Sequence, residues 1–520
     1  MIKQRISNHP AIRRGLTASV VALSLTLTAC AGSDAADADS TAVVTDATPS
    51  AEETDEVATS VDETTSTTDA TGDDLATVEP AAVGGLPVLD DTHADDNDGE
   101  YDSADAISIT LADGATAVSG DGATVSGDVV TITDAGTYVV SGELSDGQIV
   151  VDSADDGKVR LVLDGADIAS STTSPIVFAQ ADEAVVVLAD GSVNTLADAA
   201  ASGDDDDLED APNATLFSDD DLTIVGSGTL NVTGASNDAI TSMDGLVILS
   251  GTINVDAVDD GIRGKDYVYV AGGTIDIVAG GDGIKSDNDT ADEFGWVQVE
   301  AGTITVSAGA QGLDGYGAVT VIGGDVDVIE SNEGLQAMVI TMAGGSVDVV
   351  ASDDGLNATA HTADGGAEAV EEGVAFTMTG GTMTVAAGSD GLDSNGVATI
   401  TGGTLAIATG ASSNGGNGAL DVNGTFSAPG IVTVDASAIA AGDTISIVGA
   451  NGTTVADFVA TTTATSLTVT ASEVVPGETY TVLADSDEIG TATATEASES
   501  VAVGRGGGGG GRDRGAAPDQ

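Results

Sequence analysis

One sequence pattern occurs twice in succession, first in GTINVDAVDDGIRGKDYVYVA (Gly251–Ala271) and again in GTIDIVAGGDGIKSDND (Gly273–Asp289). In each copy a glycine precedes an alternation of polar and aliphatic residues, and an acid, a glycine and an isoleucine follow. Alternation with a period of two predicts a β-strand, and the glycines suit tight turns between strands. A unit of this length cannot bury its apolar face alone, so we expect successive copies to stack on one another.

The glycine-and-strand pattern extends from Gly228 to Gly403, and most of its copies begin at nearly equal intervals. Two longer intervals contain insertions near 286–294 and 361–372. Stacked parallel coils would repeat equivalent positions about every 4.8 Å and place Val, Ile and Leu inside. The repeat therefore predicts an all-β chain folded as a right-handed parallel β-helix, a solenoid of about 22 residues per coil. A propeller would need about twice this period.

Composition divides the chain into five segments. Residues 1–29 have a basic start and a short apolar run, as a secretory signal peptide does. Residues 30–87 form an acidic tether, rich in Ala, Asp and Thr, which cannot bury enough apolar surface to fold. We assign 88–424 to the β-helix, 425–500 to a β-rich C-terminal cap over its open edge, and 501–520 to a Gly-rich disordered tail. A separate small β-domain at 425–500 is the alternative.

Cys30 is the only cysteine, and it ends the sequence LTAC, which resembles the lipobox of a bacterial lipoprotein. A single cysteine excludes an internal disulfide, so lipid attachment is the best use of this residue. We therefore expect a lipid-anchored protein at the extracellular face of the cell membrane. The body of the protein would contact no bilayer, and we expect it to be a monomer.

The chain has 12 Lys and Arg against 86 Asp and Glu, and its formal net charge of −74 repels phosphate, which argues against a nucleic-acid partner. Arg263 and Lys285 occupy equivalent positions in adjacent repeats and should stack as an outward basic strip. The strip would face either neighbouring Asp side chains or the carboxylates of an acidic sugar chain. Reversal of both cations to Glu is expected to abolish binding without unfolding the protein. Lys265 lies one repeat before Asp287, which predicts an ion pair between them.

Asp238, Asp260 and Asp282 occupy equivalent positions in three successive repeats and should form a ladder of like charges along an outward edge. Carboxylates stacked at about 4.8 Å repel by about 1 kcal/mol in water and about 3 kcal/mol at an effective dielectric of about 20. Such a ladder suits Ca²⁺, which prefers several hard oxygen ligands, whereas the scarcity of Cys and His disfavours zinc. The candidate calcium ligands are Asp259, Asp260, Asp282, Asp287, Asp289, Asp353, Asp354 and Asp390, with Asp393 beside the second group.

Aromatic residues make up 2% of the chain, yet several of them cluster near the basic strip. Trp296 and Tyr316 are candidates for outward sugar contacts, together with Arg263, Lys265 and Lys285. Core or edge packing is the expected role of Phe294 and of one of the two nearby tyrosines. So low an aromatic content argues against a broad flat platform for crystalline cellulose and favours capture of acidic glycans.

Two central segments are similar to a known family: FSDDDLTIVGSGTLNV (Phe217–Val232) and VDDGIRGKDYVYVAGGTIDI (Val258–Ile277). They resemble the cell-surface carbohydrate-binding β-helix domain first defined in a cellulose-degrading clostridial bacterium. The resemblance extends over roughly 107–483. It implies a pectate-lyase-like right-handed β-helix, bound calcium, and affinity for plant cell-wall polysaccharides, notably polygalacturonate and cellulose. It implies binding rather than lyase activity.

The sequence therefore predicts a non-catalytic surface protein that captures acidic, uronate-rich polysaccharide through Ca²⁺ and a small basic strip. A calcium-dependent polysaccharide lyase is the first alternative, with Arg263 or Lys265 as the base. That chemistry needs a base that is unprotonated at the working pH, and carboxylates beside Arg or Lys oppose this. A structural or adhesive surface protein is the second alternative.

Overall fold

The computed structural model describes residues 86–95, 97–199, 212–290, 294–361, 369–409 and 418–497. The predicted signal peptide, Cys30, almost all of the tether and the tail at 501–520 lie outside these ranges. Within them, no helix is long and apolar enough to cross a membrane. One short 3-10 helix, Leu89–Asp91, accompanies 40 strands in the described residues, so the all-β prediction is confirmed.

The first ten strands precede the regular repeats, and antiparallel pairing joins β1 to β2 and β3 to β4. They are β1 (Ile107–Leu111), β2 (Ala117–Val118), β3 (Ala123–Ser126), β4 (Val129–Ile132), β5 (Gly136–Leu144), β6 (Gln148–Asp152), β7 (Lys158–Ser170), β8 (Ile176–Gln180), β9 (Glu183–Leu188) and β10 (Val193–Asp198).

The next 24 strands carry the repeats. They are β11 (Ala214–Ser218), β12 (Leu222–Gly226), β13 (Thr229–Gly234), β14 (Asp238–Ser242), β15 (Gly245–Ile248), β16 (Thr252–Ala257), β17 (Ile262–Gly264), β18 (Tyr267–Val270), β19 (Thr274–Ala279), β20 (Ile284–Ser286), β21 (Trp296–Val299), β22 (Thr303–Ala308), β23 (Gln311–Val321), β24 (Asp325–Ser331), β25 (Glu333–Met342), β26 (Ser346–Ala351), β27 (Leu356–Ala358), β28 (Ala375–Met378), β29 (Thr382–Ala387), β30 (Leu392–Ser394), β31 (Val397–Ile400), β32 (Thr404–Thr409), β33 (Leu420–Val422) and β34 (Phe426–Ser427).

These strands pair in parallel as three ladders within one 36-stranded sheet. The first ladder runs β13–β16–β19–β22–β24–β26–β29–β32. The second runs β11–β14–β17–β20–β23–β25–β27–β30–β33. The third runs β9–β12–β15–β18–β21–β23–β25–β28–β31–β34. The long strands β23 and β25 belong to the second and the third ladder. Each repeat contributes to every ladder in turn, whereas closure of the ladders into a helix stays a prediction.

One column of the core shows why the repeat folds this way. Ile262, Ile284, Leu313 and Leu335 align by register in the second ladder, and none has exposed surface. Burial of an aliphatic side chain contributes roughly 1.5–3 kcal/mol, so a column of them favours stacking in one register. The glycine before each aliphatic residue leaves no room for a side chain: a Cβ at Gly283 would lie 2.5 Å from the carbonyl oxygen of Gly312.

Six strands follow the repeats: β35 (Ile431–Ile439), β36 (Thr444–Gly449), β37 (Thr454–Val459), β38 (Ala464–Ala471), β39 (Thr479–Ala484) and β40 (Asp487–Thr493). β38 pairs antiparallel with the last strand of the first ladder, β32, and with β35. The strands β37, β36, β39 and β40 form a separate antiparallel sheet. The pairing of β38 covers an edge that would otherwise expose unpaired backbone groups.

An N-terminal strap, which we define as residues 87–95 together with 97 and 98, runs across the third ladder. The carbonyl oxygen of Pro87 accepts a hydrogen bond from Gln298 Nε2 at 2.6 Å on β21. The backbone N–H of His93 donates to the Tyr267 hydroxyl at 3.0 Å on β18. Arg160 Nε, on β7, donates to the carbonyl oxygen of Asp98 at 3.0 Å. The strap is therefore fixed to several successive strands of the molecule.

Candidate functional site

The second ladder exposes one polar residue from each short strand. In β17 and β20 the first and third residues are buried and only the middle one, Arg263 or Lys285, reaches solvent. Register aligns these middle positions from strand to strand. We call the resulting row the polar column. It consists of Thr241, Arg263, Lys285, Asp314, Gln336, Asn357, Asp393 and Asp421.

The predicted stacking of Arg263 on Lys285 is confirmed, because the register pairs the two residues directly. Both cations also have carboxylate partners within the protein. An Arg263 terminal nitrogen lies 2.8 Å from Asp287, and the Lys285 ammonium lies 3.1 Å from Asp260 and 2.8 Å from Asp282. The Arg263 side chain is 19% exposed and that of Lys285 24%. The strip is thus ion-paired and only partly open to solvent.

These ion pairs change what a charge reversal would do. Glu in place of Lys285 would add a third carboxylate beside Asp260 and Asp282, both of which are largely buried. Loss of one partner from a buried ion pair is strongly destabilising because it leaves uncompensated charge. We therefore expect double reversal to destabilise the protein, and neutral replacements, which add no carboxylate, should disturb this network less.

The predicted ion pair between Lys265 and Asp287 is also wrong. The carboxylate of Asp287 binds Arg263 instead, at 2.8 Å. Within the described parts of the chain, Lys265 forms no ion pair with a carboxylate, and its backbone N–H donates to the Ser242 carbonyl oxygen. The longer side chain of Arg263 reaches the next repeat, a contact that equal sequence spacing does not reveal.

The ladder formed by Asp238, Asp260 and Asp282 is present, but the prediction that it lies along an outward edge is wrong. These residues are only 2%, 7% and 4% exposed. The N–H of Asp260 donates to Asp238 Oδ1 at 3.2 Å, and the N–H of Asp282 donates to Asp260 Oδ1 at 2.8 Å. Gln311 continues the series by donating its N–H to Asp282 Oδ1 at 2.8 Å. The carboxylates therefore satisfy backbone donors at a corner where the strand ladder is interrupted.

Burial sets the protonation behaviour of this region. It raises the pKa of Asp238 to about 7, with a further contribution from the nearby charge of Asp260. Burial and the charge of Asp282 likewise raise the pKa of Asp314 to about 7. Burial alone would lower the pKa values of Arg263 and Lys285, but Asp287 and Asp260 raise them above their usual range. Both cations are therefore held protonated.

A second acidic group lies further along the polar column. Its backbone contacts repeat those of the first: the N–H of Asp390 donates to Asp354 Oδ1 at 2.8 Å, and the N–H of Gly418 donates to Asp390 Oδ1 at 2.6 Å. Burial raises the pKa of Asp393 to about 7, assisted by the charges of Asp354 and Asp421. The four neighbouring charges that act most strongly on Asp393 are all negative. This group thus contrasts with the first, where Arg263 and Lys285 supply positive charge.

The two predicted calcium groups differ in how well they suit a metal ion. In the first, oxygens of Asp260, Asp282 and Asp287 already bind Lys285 or Arg263, so these carboxylates do not fit calcium. Asp259 and Asp289 are exposed. In the second, Asp354 and Asp393 carry oxygen donors of the type that Ca²⁺ prefers, but the described acids of this group do not bring three carboxylate oxygens within 4.8 Å of one another, and Asp353 is exposed.

One further acidic cluster already contains a cation. Among the described residues, Asp95, Asp98 and Glu183 are the acids that bring three carboxylate oxygens within 4.8 Å of one another. The Lys158 ammonium lies among them, 2.9 Å from Asp95 and 2.7 Å from Glu183, and it also contacts Asp98. This cluster fastens the strap to β7 and β9, and Lys158 takes the place that a metal ion would need.

The aromatic residues separate into two places. Trp296 stacks on Tyr267 in the third ladder, with ring centroids 4.6 Å apart and planes 6° from parallel. Tyr269 is fully buried beside them, which confirms packing as the role of one tyrosine. Tyr316 instead lies shortly after Asp314 of the polar column on β23. Its ring stacks on that of His361, with centroids 5.1 Å apart and planes 14° from parallel. Sugar contact by Trp296 and Tyr316 stays a prediction.

Sequence reasoning gave no role to Asp314 or His361. Asp314 occupies the polar column between Lys285 and Gln336, and the aligned repeats already indicated this position. His361 follows the short strand β27. Its ring stacks on Tyr316, which lies on β23, two strands earlier in the second ladder. The repeat carries no signal for this contact, because an insertion begins at His361.

Comparison with known proteins places the chain among carbohydrate-binding proteins. A family model described as "Carbohydrate-binding domain-containing protein" matches residues 126–415. A protein of Acetivibrio thermocellus with the same description is 40% identical over 137 residues, which are 26% of this chain and 48% of that protein. The match thus spans about half the length of that relative.

A solved structure is also similar, that of the polysaccharide lyase-like protein from C. thermocellum in a gadolinium derivative. It is 34% identical, and the match covers 46% of this chain and 92% of that one with a TM-score of 0.41. The family match at 126–415 extends over more than half of the 520 residues. The chain therefore belongs to the family of carbohydrate-binding domain-containing proteins.

Proposed function

We propose that this protein is a non-catalytic, lipid-anchored surface protein that binds an acidic, uronate-rich polysaccharide along the polar column of a right-handed parallel β-helix. Membership of a carbohydrate-binding family supports the ligand class. The short LTAC sequence ending at Cys30 supports the anchor. The acidic nature of the glycan and the role of Ca²⁺ rest on the charges of the polar column.

The pairing pattern supports the β-helix. Each repeat supplies a strand to the first, second and third ladders in the same order, and equivalent residues pair from one repeat to the next. This regular return to each ladder is the pattern that a chain wound around an axis would give. Parallel crossovers are right-handed in nearly all proteins, which gives the winding its hand.

The observation that carries the proposed function is the pair of partly exposed cations, Arg263 and Lys285, at equivalent positions on adjacent strands. They lie at one end of a row that continues with the amides of Gln336 and Asn357. Cations and amides on one face suit the carboxylates and hydroxyls of a uronate chain. Consecutive positions are about 4.8 Å apart, so the row is long enough for several sugar units.

The charge balance explains why a divalent cation is part of the proposal. Arg263 and Lys285 are surrounded by more carboxylates than they can neutralise, and the far end of the row is acidic as well. A polyanion alone would be repelled there. When bound at Asp354 and Asp393, calcium would supply positive charge that both the protein and the glycan carboxylates can share.

The same contacts argue against Arg263 as the base of an elimination reaction. A lyase needs an unprotonated base beside the sugar, but Asp287 and Asp260 hold Arg263 and Lys285 protonated. We therefore assign these residues to charge recognition and give them no role in proton transfer.

Affinity electrophoresis in gels that contain polygalacturonate tests the proposal. With Ca²⁺ present, we expect retardation of the wild-type protein, and a chelator should weaken it. Lys285→Gln removes one positive charge without adding a carboxylate and should lower affinity roughly tenfold, as expected for loss of a charge-assisted hydrogen bond. Thr274→Asp is the matched control, because it changes net charge equally on an exposed position of the first ladder.

Unretarded migration of the wild-type protein in every acidic glycan tested, with calcium present, would contradict the proposal. Equal loss of affinity in Lys285→Gln and Thr274→Asp would show that net charge, rather than the polar column, governs binding.

A further inference from the structure

Asp314, Tyr316 and His361 lie together at the middle of the polar column. Register places Asp314 beside Lys285 on one side and Gln336 on the other. Tyr316 follows shortly after it on the same strand, β23, and stacks on His361. The arrangement combines a carboxyl group, an amide and an aromatic pair between the basic and acidic ends of the row.

The Asp314 carboxyl group lacks a partner for one oxygen. Asp314 is 8% exposed, and its Oδ1 is buried without a hydrogen bond among the described residues. The ionisable nitrogen that approaches this oxygen is His361 Nε2, at 3.8 Å, which is too far for a hydrogen bond. A buried oxygen left unpaired is unfavourable, so a donor supplied by a ligand would be stabilised there.

The ring pair is built by a contact across two strands. Asn357 aligns with Gln336, which aligns with Asp314, and His361 lies just beyond Asn357 in the chain. The chain must therefore reach back about 10 Å, two strand spacings, to place the imidazole on Tyr316. The rings are 14° from parallel, and the His361 side chain remains 21% exposed. Flat apolar surface beside a polar oxygen matches the C–H face and hydroxyls of a sugar ring.

Gln336 adds a donor next to Asp314. Its Oε1 accepts a hydrogen bond from Gln311 Nε2 at 3.2 Å. In the described residues its amide nitrogen has no hydrogen-bond acceptor, and the residue is partly exposed. The Gln336 amide can therefore donate while Asp314 accepts, a pairing that suits neighbouring hydroxyl groups.

We infer that Asp314, Gln336 and the stacked rings of Tyr316 and His361 form a subsite for a single pyranose ring. Asp314 accepts a hydrogen bond from a sugar hydroxyl, Gln336 donates to the adjacent oxygen, and the ring pair packs against the C–H face. The inference rests on the proposed function, and it assigns recognition to residues that carry no net positive charge. Both uronic and neutral sugars offer this chemistry.

Calorimetric titration of the full chain with hexagalacturonate and with cellohexaose, each with Ca²⁺, tests the subsite. We expect Tyr316→Ala and His361→Ala to lower affinity roughly 3- to 10-fold, the range of an aromatic contact. His361→Phe keeps the ring and should retain affinity. Tyr101→Ala is the control, since Tyr101 is an exposed ring, 38% accessible, that lies outside the repeats.

Asp314→Ala separates recognition from a structural role. It removes the unpaired buried oxygen, so affinity should fall while the melting temperature stays equal or rises. A fall in both would indicate that Asp314 supports the fold and would overturn its assigned role.

The two hexasaccharides distinguish the ring that binds: a response limited to hexagalacturonate assigns a uronate, and one to cellohexaose assigns a neutral sugar. Wild-type binding that Tyr316→Ala and His361→Ala leave unchanged would overturn the subsite alone. Absence of wild-type binding to either sugar would overturn the proposed function with it.

Discussion

The Lys285 ammonium lies between two carboxylates, 3.1 Å from Asp260 and 2.8 Å from Asp282. Arg263 is held in a similar way by Asp287. At this scale the candidate site is a network in which each cation is already partly neutralised and the acids around Lys285 are largely buried. Small changes in protonation or in one side chain should therefore alter both stability and the attraction for an anionic ligand.

The raised pKa values of Asp238 and Asp314, both about 7, predict a pH-dependent stability. Between about pH 4, where an unfolded aspartate loses its proton, and about pH 7, the folded state binds more protons than the unfolded state. The free energy of unfolding must then decrease as pH rises through this window. We expect the melting temperature, measured with a chelator present, to be higher at pH 5.5 than at pH 8.

Asp314→Asn provides the matched comparison, because an amide does not titrate. This variant should show a smaller change in melting temperature between the two pH values than the wild-type protein. A melting temperature that rises with pH in the wild-type protein would contradict the assignment of buried, protonated carboxyl groups.

At the scale of strands, the sequence predicts the pairing of residues at equivalent positions of the repeat. Ile262 and Ile284 align because equal spacing and the buried aliphatic column leave one favourable register. The repeat does not fix the partners of long polar side chains, because these depend on how far each side chain extends. Equal spacing suggests that Lys265 binds Asp287, but Arg263 binds it. Contacts made by insertions are the hardest to predict from the sequence. The stacking of His361 on Tyr316 is an example.

The repeat pattern also did not predict that the acids of the ladder are buried. The acid precedes the turn and the inward aliphatic residue of each repeat, so the sequence predicts an outward edge for Asp238 and Asp260. The structure buries them since each accepts a hydrogen bond from the backbone N–H one repeat later. A backbone donor at an interrupted strand corner is a feature of three-dimensional stacking, and residue type alone does not indicate it.

The N-terminal strap predicts a local effect of mutation. His93 donates its backbone N–H to Tyr267, and its ring nitrogens lie 2.7 Å from the Tyr267 hydroxyl and 3.0 Å from Thr223 Oγ1. His93→Ala removes the ring contacts, each worth about 1 kcal/mol, while the ladders beneath remain paired. We expect faster hydrogen exchange and proteolytic cleavage within the strap, with little change in the global melting temperature.

Glu100→Ala is a suitable control for the strap, since Glu100 is exposed just beyond it. Equal exchange rates in His93→Ala and wild-type protein would show that the ring contacts do not hold the strap in place.

For the whole molecule, the dominant property is charge. With a net charge of −74, the chain repels other polyanions at long range, so an acidic glycan must be received at places where that charge is compensated. Arg263 and Lys285 provide compensation at one end of the polar column, whereas the four charges that act most strongly on Asp393 at the other end are all negative. The two ends should therefore respond differently to divalent cations.

We expect Ca²⁺ to raise the melting temperature, because an ion that binds the folded state stabilises it increasingly as its free concentration exceeds the dissociation constant. Asp354→Asn combined with Asp393→Asn should remove this increase, and Asp260→Asn should leave it largely intact, since Lys285 already binds Asp260. Sodium chloride at equal ionic strength controls for screening. A calcium response that Asp260→Asn removes and the double variant keeps would assign the ion to the first group instead.

A crystal structure of the protein with hexagalacturonate and calcium would test whether the polar column binds the glycan, because it shows the course of the chain and the position of the sugar together. We expect stacked coils in which the second ladder faces the ligand, with the oligosaccharide along the polar column from Arg263 towards Asp393 and one ring against Tyr316 and His361. An oligosaccharide bound on the first or third ladder, with the polar column unoccupied, would contradict it.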